Sequence, residues 1–154
     1  MDRLREGGLQ MNPLIERLTA KGVEVTEVED RGEEARQTWV AHFIRPEQRT
    51  RLSPYLWEDI GAETDGCLVG TAAEHAFERA GKWKAMLFFQ HSNDVLELDL
   101  TQAQPLARKE LIVETMDYAD IYIVDPAYTW TYVIPHEADW GPYFFTKLRT
   151  KGDH

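Results

Sequence analysis

His91, Asp94, His136 and Glu137 are the residues whose types suit chemistry, with Gln90 beside the first and Asp120 and Asp125 nearby in the chain. Two imidazoles and a carboxylate are the donor types of a zinc or iron site. A histidine with a carboxylate is also a common proton-transfer pair. The spacing gives less support than the types. No H-x-x-x-H, H-x-x-E-H or paired C-x-x-C pattern ties these residues together. Successive side chains on a strand point to opposite faces, so adjacency alone does not converge His136 and Glu137. Ser92 follows His91 but lacks the glycines of a nucleophile elbow. Gly61, Gly66 and Gly70 are too widely spaced to cradle phosphate. The competing reading is structural: His91 and His136 hydrogen-bond to loop backbone, and Glu137 caps a turn or pairs with a cation. The patterns assign no catalytic residue, no metal ligand and no cofactor.

A second group is aromatic. Trp83, Trp130, Trp140, Tyr143, Phe144 and Phe145 crowd the second half of the chain, and Trp140 to Phe145 follows a strand pair in a Gly-Pro loop. Exposed rings beside an acidic surface are what a protein-binding hot spot contains. The alternative is a tail folded back over the sheet. On the binding reading the candidates are His91, Asp94, His136, Glu137, Trp140, Tyr143 and Phe144.

Charge narrows the partners. The net charge is −10, most of it between Gly61 and Asp125, while Pro126 to His154 is balanced. Such a chain repels nucleic-acid phosphates and anionic membrane surfaces, and attracts a basic protein. No apolar run approaches the ~20 residues of a membrane span. Met1 to Gly8 lacks the apolar core of a secretory signal. The single Cys67 rules out an intrachain disulfide framework and fits a reducing cytoplasm, and no basic neighbour in sequence activates it.

The elements that must position these residues read as one α+β domain. Residues 1–11 look like a flexible lead, 12–150 the domain and 151–154 a tail. Asn12-Pro13 opens a helix with stripe Leu14, Ile15 and Leu18, ending at Gly22. Val23 to Val28 suggests a strand. Ala35, Trp39 and Phe43 place one face of a helix from Glu33 to Ile44 on the sheet, with His42 at its boundary. Pro46 suggests another short turn, near a basic cluster of Arg45, Arg49 and Arg51. Tyr55 to Trp57 reads as a core plug, and Asp59 to Gly70 as loop. Thr71-Ala-Ala-Glu74 has the form of a capping box before a helix ending at Gly81. Lys84 to Gln90 is a strand buried on both faces. Leu96, Leu98 and Leu100 alternate with Glu97 and Asp99 in another, and Leu106 to Val113 suggests a helix. Ile121 to Val124 and Thr129 to Ile134 pair around Asp125 to Tyr128. The sum is a mainly antiparallel sheet of about four or five strands with helices packed on it.

The order and wording of these segments resemble an uncharacterised bacterial family of Bacillus-type proteins, domain-of-unknown-function family 4275, from Leu14 to Phe145. The resemblance rests on Gln37-Thr-Trp39-Val-Ala-His-Phe43, Tyr55-Leu-Trp57, Cys67-Leu and Phe77. It continues through Phe88-Phe-Gln-His91-Ser-Asn-Asp94, Asp120-Ile-Tyr-Ile-Val-Asp125, Trp130-Thr-Tyr-Val, His136-Glu137 and Gly141-Pro-Tyr-Phe144. Where the family reads Thr-His-Glu, this chain has Pro135-His136-Glu137 and lacks that hydroxyl. The resemblance implies the fold and carries no activity. Two function classes follow from the residues. One is a small acidic cytoplasmic protein-binding domain, of immunity or regulatory type, with a basic protein as partner. The other is a small enzyme or ligand-binding domain with a His/Glu site at the sheet's rim.

Overall fold

The computed structural model describes residues 12–44, 67–90, 92–111, 120–135 and 141–146. The helices are α1 (Asn12–Ala20), α2 (Gly32–Phe43), α3 (Thr71–Ala80) and α4 (Arg108–Leu111). The strands are β1 (Glu24–Val28), β2 (Leu68–Val69), β3 (Lys84–Phe89), β4 (Val95–Asp99), β5 (Ile121–Val124), β6 (Trp130–Ile134) and β7 (Tyr143–Thr146). They form one antiparallel sheet in the order β1-β4-β3-β5-β6-β7-β2.

The architecture is therefore α+β as the periodicities require, but the sheet has seven strands rather than four or five. The two additional strands carry no periodic signal in the sequence. A two-residue strand such as β2 is too short to show a period. The run Tyr143-Phe-Phe-Thr146 is apolar without alternation, because β7 lies between β6 and β2 and is covered on both faces.

Alternation elsewhere sorts residues onto the two faces. Trp130, Tyr132 and Ile134 face one side of β6, with Leu96 and Leu98 of β4 and Phe144 of β7. Leu14 and Leu18 of α1, Ala73, Ala76 and Phe77 of α3 and Leu111 of α4 cover that side. Phe77 stacks on Tyr132 with ring centroids 4.3 Å apart. The small alanines of α3 permit this close approach of helix to sheet.

The opposite side carries Phe88, Val95, Tyr122, Val124, Val133 and Phe145 beneath Ala35, Trp39 and Phe43 of α2. Trp39 is fully buried at the centre. Its ring meets Tyr122 edge-on at 5.2 Å, and its indole Nε1–H donates to Thr131 Oγ1 at 2.9 Å. The Thr131 hydroxyl in turn donates to the Ile123 carbonyl at 3.1 Å. The polar handle of this large ring is thus satisfied inside an otherwise apolar layer.

Helix starts show one departure from local sequence logic. Thr71 is the first residue of α3 rather than its cap, which is Gly70, and no side chain caps the helix. Gly70 adopts φ +69° and its N–H donates to the Pro142 carbonyl at 2.9 Å, so the residue just before β7 fixes this helix start from outside. The expected helix from Leu106 contributes α4 only at Arg108–Leu111, with Leu106 buried ahead of it. Leu106 and Ala107 precede the helix, while residues 112–113, the Pro46 turn, the Arg45/Arg49/Arg51 cluster and the Tyr55 to Trp57 plug lie outside the described residues.

Candidate functional site

Among the described residues the turn between β3 and β4 leads into one sequence candidate, Asp94, and α2 holds this turn. The N–H groups of Arg31 and Gly32 donate to the Asn93 carbonyl at 3.0 and 2.8 Å. One turn further along α2, Arg36 donates through Nη1 to the carbonyls of Phe89 at 2.9 Å and Ser92 at 2.7 Å. Its Nη2 donates to Asn93 Oδ1 at 2.9 Å. A guanidinium fork suits this role because its fixed donors reach several acceptors at once. Sequence reading had no signal for Arg36 or Gly32, since neither belongs to a motif.

Asp94 stands at the end of this turn, its N–H donating to Ser92 Oγ at 3.1 Å. Its carboxyl is raised above the ordinary 3.8, first by partial burial and then by the charges of Glu29, Glu27 and Asp30. Those carboxylates come from β1 and the β1–α2 loop. They arrive because β1 pairs with β4 in the register Glu27↔Leu96 and Val28↔Val95. The acidic excess of the middle of the chain thus continues, in space, into residues 24–30 of its first part. Linear charge counting could not reveal this, since the pairing spans about seventy residues.

A titration consequence follows. A carboxyl whose folded pKa lies above its unfolded one binds more protons when folded, so stability falls as pH rises through the window starting near 3.8. Asp94→Asn removes that penalty. It is expected to make the isolated domain slightly more stable at pH 7 and to flatten the decline above pH 4, as read by urea denaturation across pH 4–7. An unchanged or steeper decline would place the raised carboxyl elsewhere.

Gln90 ends β3 in a buried polar group. Its N–H donates to the Asp120 carbonyl at 3.1 Å, and its Oε1 accepts from the Tyr122 hydroxyl. Gln90 and Asp120 are both buried. Asp125 has a structural role: Oδ1 accepts from the N–H groups of Thr129 at 2.6 Å and Trp130 at 3.0 Å, closing the β5–β6 hairpin. His42 sits beside the core face, as its spacing predicts. Its Nδ1 is 2.9 Å from the Thr38 carbonyl and its ring stacks on Tyr128 at 5.4 Å.

His91, His136, Glu137 and Trp140 lie outside the described residues. Tyr143 and Phe144 are buried in β7 on opposite faces of the sheet, not displayed on a loop. Phe144 packs on Trp130 at 5.7 Å, and Tyr143 joins the layer under α2. Four strand steps separate β7 from β4, roughly 19 Å, so Asp94 does not share a site with these two rings. Burial pushes the Cys67 thiol up to about 11, which leaves almost no thiolate at neutral pH.

Among the described residues no group of three or more His, Cys, Asp or Glu is arranged to hold a metal ion. Among the same residues no helix is long and apolar enough to cross a membrane. A shallow cleft lies on the α3 side, lined by Phe77, Gly81, Lys82, Leu100, Gln104 and Pro105 among others. It contains none of the sequence candidates.

Lys21 lies 3.9 Å from Glu110, Arg31 3.4 Å from Glu34 and Lys84 3.7 Å from Asp99. Among the described residues no cation reaches ion-pair distance of Glu24, Glu29, Asp30, Asp94 or Glu97. What this arrangement can do is attract and orient positive charge.

Over residues 11–144 the chain matches the model of the family described as Domain of unknown function (DUF4275), and it belongs to that family. No match was found among curated proteins or among solved structures.

Proposed function

We propose that this member of the DUF4275 family is a small protein-binding domain, of immunity or regulatory type, that engages a basic protein through its acidic sheet end. The contact surface comprises Glu24 and Glu27 of β1, Glu29 and Asp30 of the following loop, Asp94 of the β3–β4 turn and Glu97 of β4. The observation that carries this reading is that the β1–β4 register brings Glu27, Glu29 and Asp30 near Asp94, whose carboxyl is raised first by partial burial and then by their charges. Folding has gathered like charges from two separate stretches, at some cost to stability. A cationic partner would relieve that repulsion on binding, so the same charges supply both attraction and steering.

Capture from a lysate of the source cells tests this. Glu29→Lys/Asp94→Lys and Glu16→Lys/Glu78→Lys change the net charge equally but at different places. Wild type and the second variant are expected to retain the same basic protein, and the first to lose it by at least about tenfold, a difference of about 1.4 kcal/mol. Equal retention by both variants, or a retained partner that is acidic, would contradict the reading.

A further inference from the structure

β1 is an edge strand: among the described residues it pairs with β4 alone. The other edge, β2, offers only two residues, whereas β1 offers five. An edge of that length presents a row of backbone donors and acceptors to any extended segment laid beside it. We infer that β1 binds the basic partner by strand addition, taking an extended segment with Lys or Arg beside Glu24 and Glu27 and an aliphatic residue beside Val25. This rests on the function proposed above and specifies its mode.

This pattern follows from the two faces of β1. Glu24 and Thr26 share one face, and the register places them beside Asp99 and Glu97 of β4. All but the half-exposed Asp99 are exposed, because α2 covers only the part of that face holding Phe88, Val95 and Tyr122. Cationic side chains of an added strand would lie next to Glu24 and within reach of Glu97. On the other face Val25 is half-buried against the core layer, so an aliphatic neighbour there would extend that layer, while the exposed Glu27 on the same face would take a cation.

The same residues exclude a second copy of this chain. Pairing β1 with itself would crowd the carboxylates of both copies, with Glu24, Glu97 and Asp99 on one face and Glu27 on the other. Like charges across strands are destabilising, and such edge carboxylates are a common guard against self-association. A basic segment inverts that penalty, so the charge pattern selects the partner while the open backbone supplies hydrogen bonds.

The test uses the full chain and two capped peptides of lysine and valine in this pattern, one ordinary and one with every backbone amide N-methylated. Both carry the same charges, but the second cannot donate to a sheet edge. Calorimetry gives the affinities, and amide hydrogen exchange reads β1. The ordinary peptide is expected to bind at least about tenfold more tightly. It is also expected to slow exchange within Glu24–Val28, and Glu24→Lys/Glu97→Lys should abolish the effect. Equal affinities without protection in β1 would overturn strand addition while leaving recognition of positive charge intact. Failure of both peptides to bind would overturn both.

Discussion

Trp39→Ala is expected to cost about 3–5 kcal/mol, a substantial part of a whole stability of order 5–15 kcal/mol. The residue is fully buried and its ring contacts Phe43, Tyr122 and Phe145 at centroid distances of 5.8, 5.2 and 6.5 Å. Truncation removes those contacts, opens a cavity beneath α2 and withdraws the indole N–H from Thr131. The hydroxyl keeps its bond to the Ile123 carbonyl, so cavity formation dominates over polar loss. Trp39→Phe preserves most of the ring and should cost less than half as much. Urea denaturation separates the variants. A Trp39→Ala cost under about 1 kcal/mol would mean that α2 does not seat as described.

Gly32→Ala is the second large effect, and its sign is diagnostic. On an ordinary helix alanine is the better residue by about 1 kcal/mol. Here a Cβ at position 32 would stand 2.5 Å from both Asn93 Cα and the Ser92 carbonyl oxygen, and 2.9 Å from the Asn93 carbonyl carbon. All three are backbone atoms, which cannot swing aside. The helix must lift from the turn, loosening the hydrogen bonds from Arg31 and Gly32 to Asn93 and disturbing the Arg36 clamp. A loss of about 1–3 kcal/mol is expected. NMR shift changes at Ser92, Asn93 and Asp94 should accompany it. A stabilised variant would show that the close approach of α2 to the β3–β4 turn is absent.

These two positions also show what the sequence made legible. Trp39 recurs with Ala35 and Phe43 at helical spacing, and hydrophobic periodicity alone places all three on the sheet. The same logic recovers the β5–β6 hairpin and the division of β6 into its Trp130-Tyr132-Ile134 and Thr131-Val133 faces. Gly32 carries no such signal. Its meaning lies in Asn93, about sixty residues away, and a contact of that kind leaves no local period.

The candidate site divided along the same line. Asp94 was visible as a polar residue after a strand. Its neighbours Glu27, Glu29 and Asp30 were not visible as neighbours, because only the β1–β4 register unites them. Tyr143 and Phe144 misled for the opposite reason. Local Gly-Pro chemistry suggests a loop, and the fold places β6 and β2 on either side to make a strand. Gly70 rather than Thr71 caps α3 because Pro142, remote in sequence, anchors it. Local rules held where an element's own face decides its structure and failed where a distant backbone does.

The claim that the carboxylates gathered around Asp94 form the binding surface is tested most directly by titrating the full chain with an oligo-lysine probe and mapping backbone amide shifts. The largest changes are predicted in residues 24–30 and 92–99, fading as salt screens the attraction. Changes that are no larger there than around Glu16 and Glu78 would contradict the account.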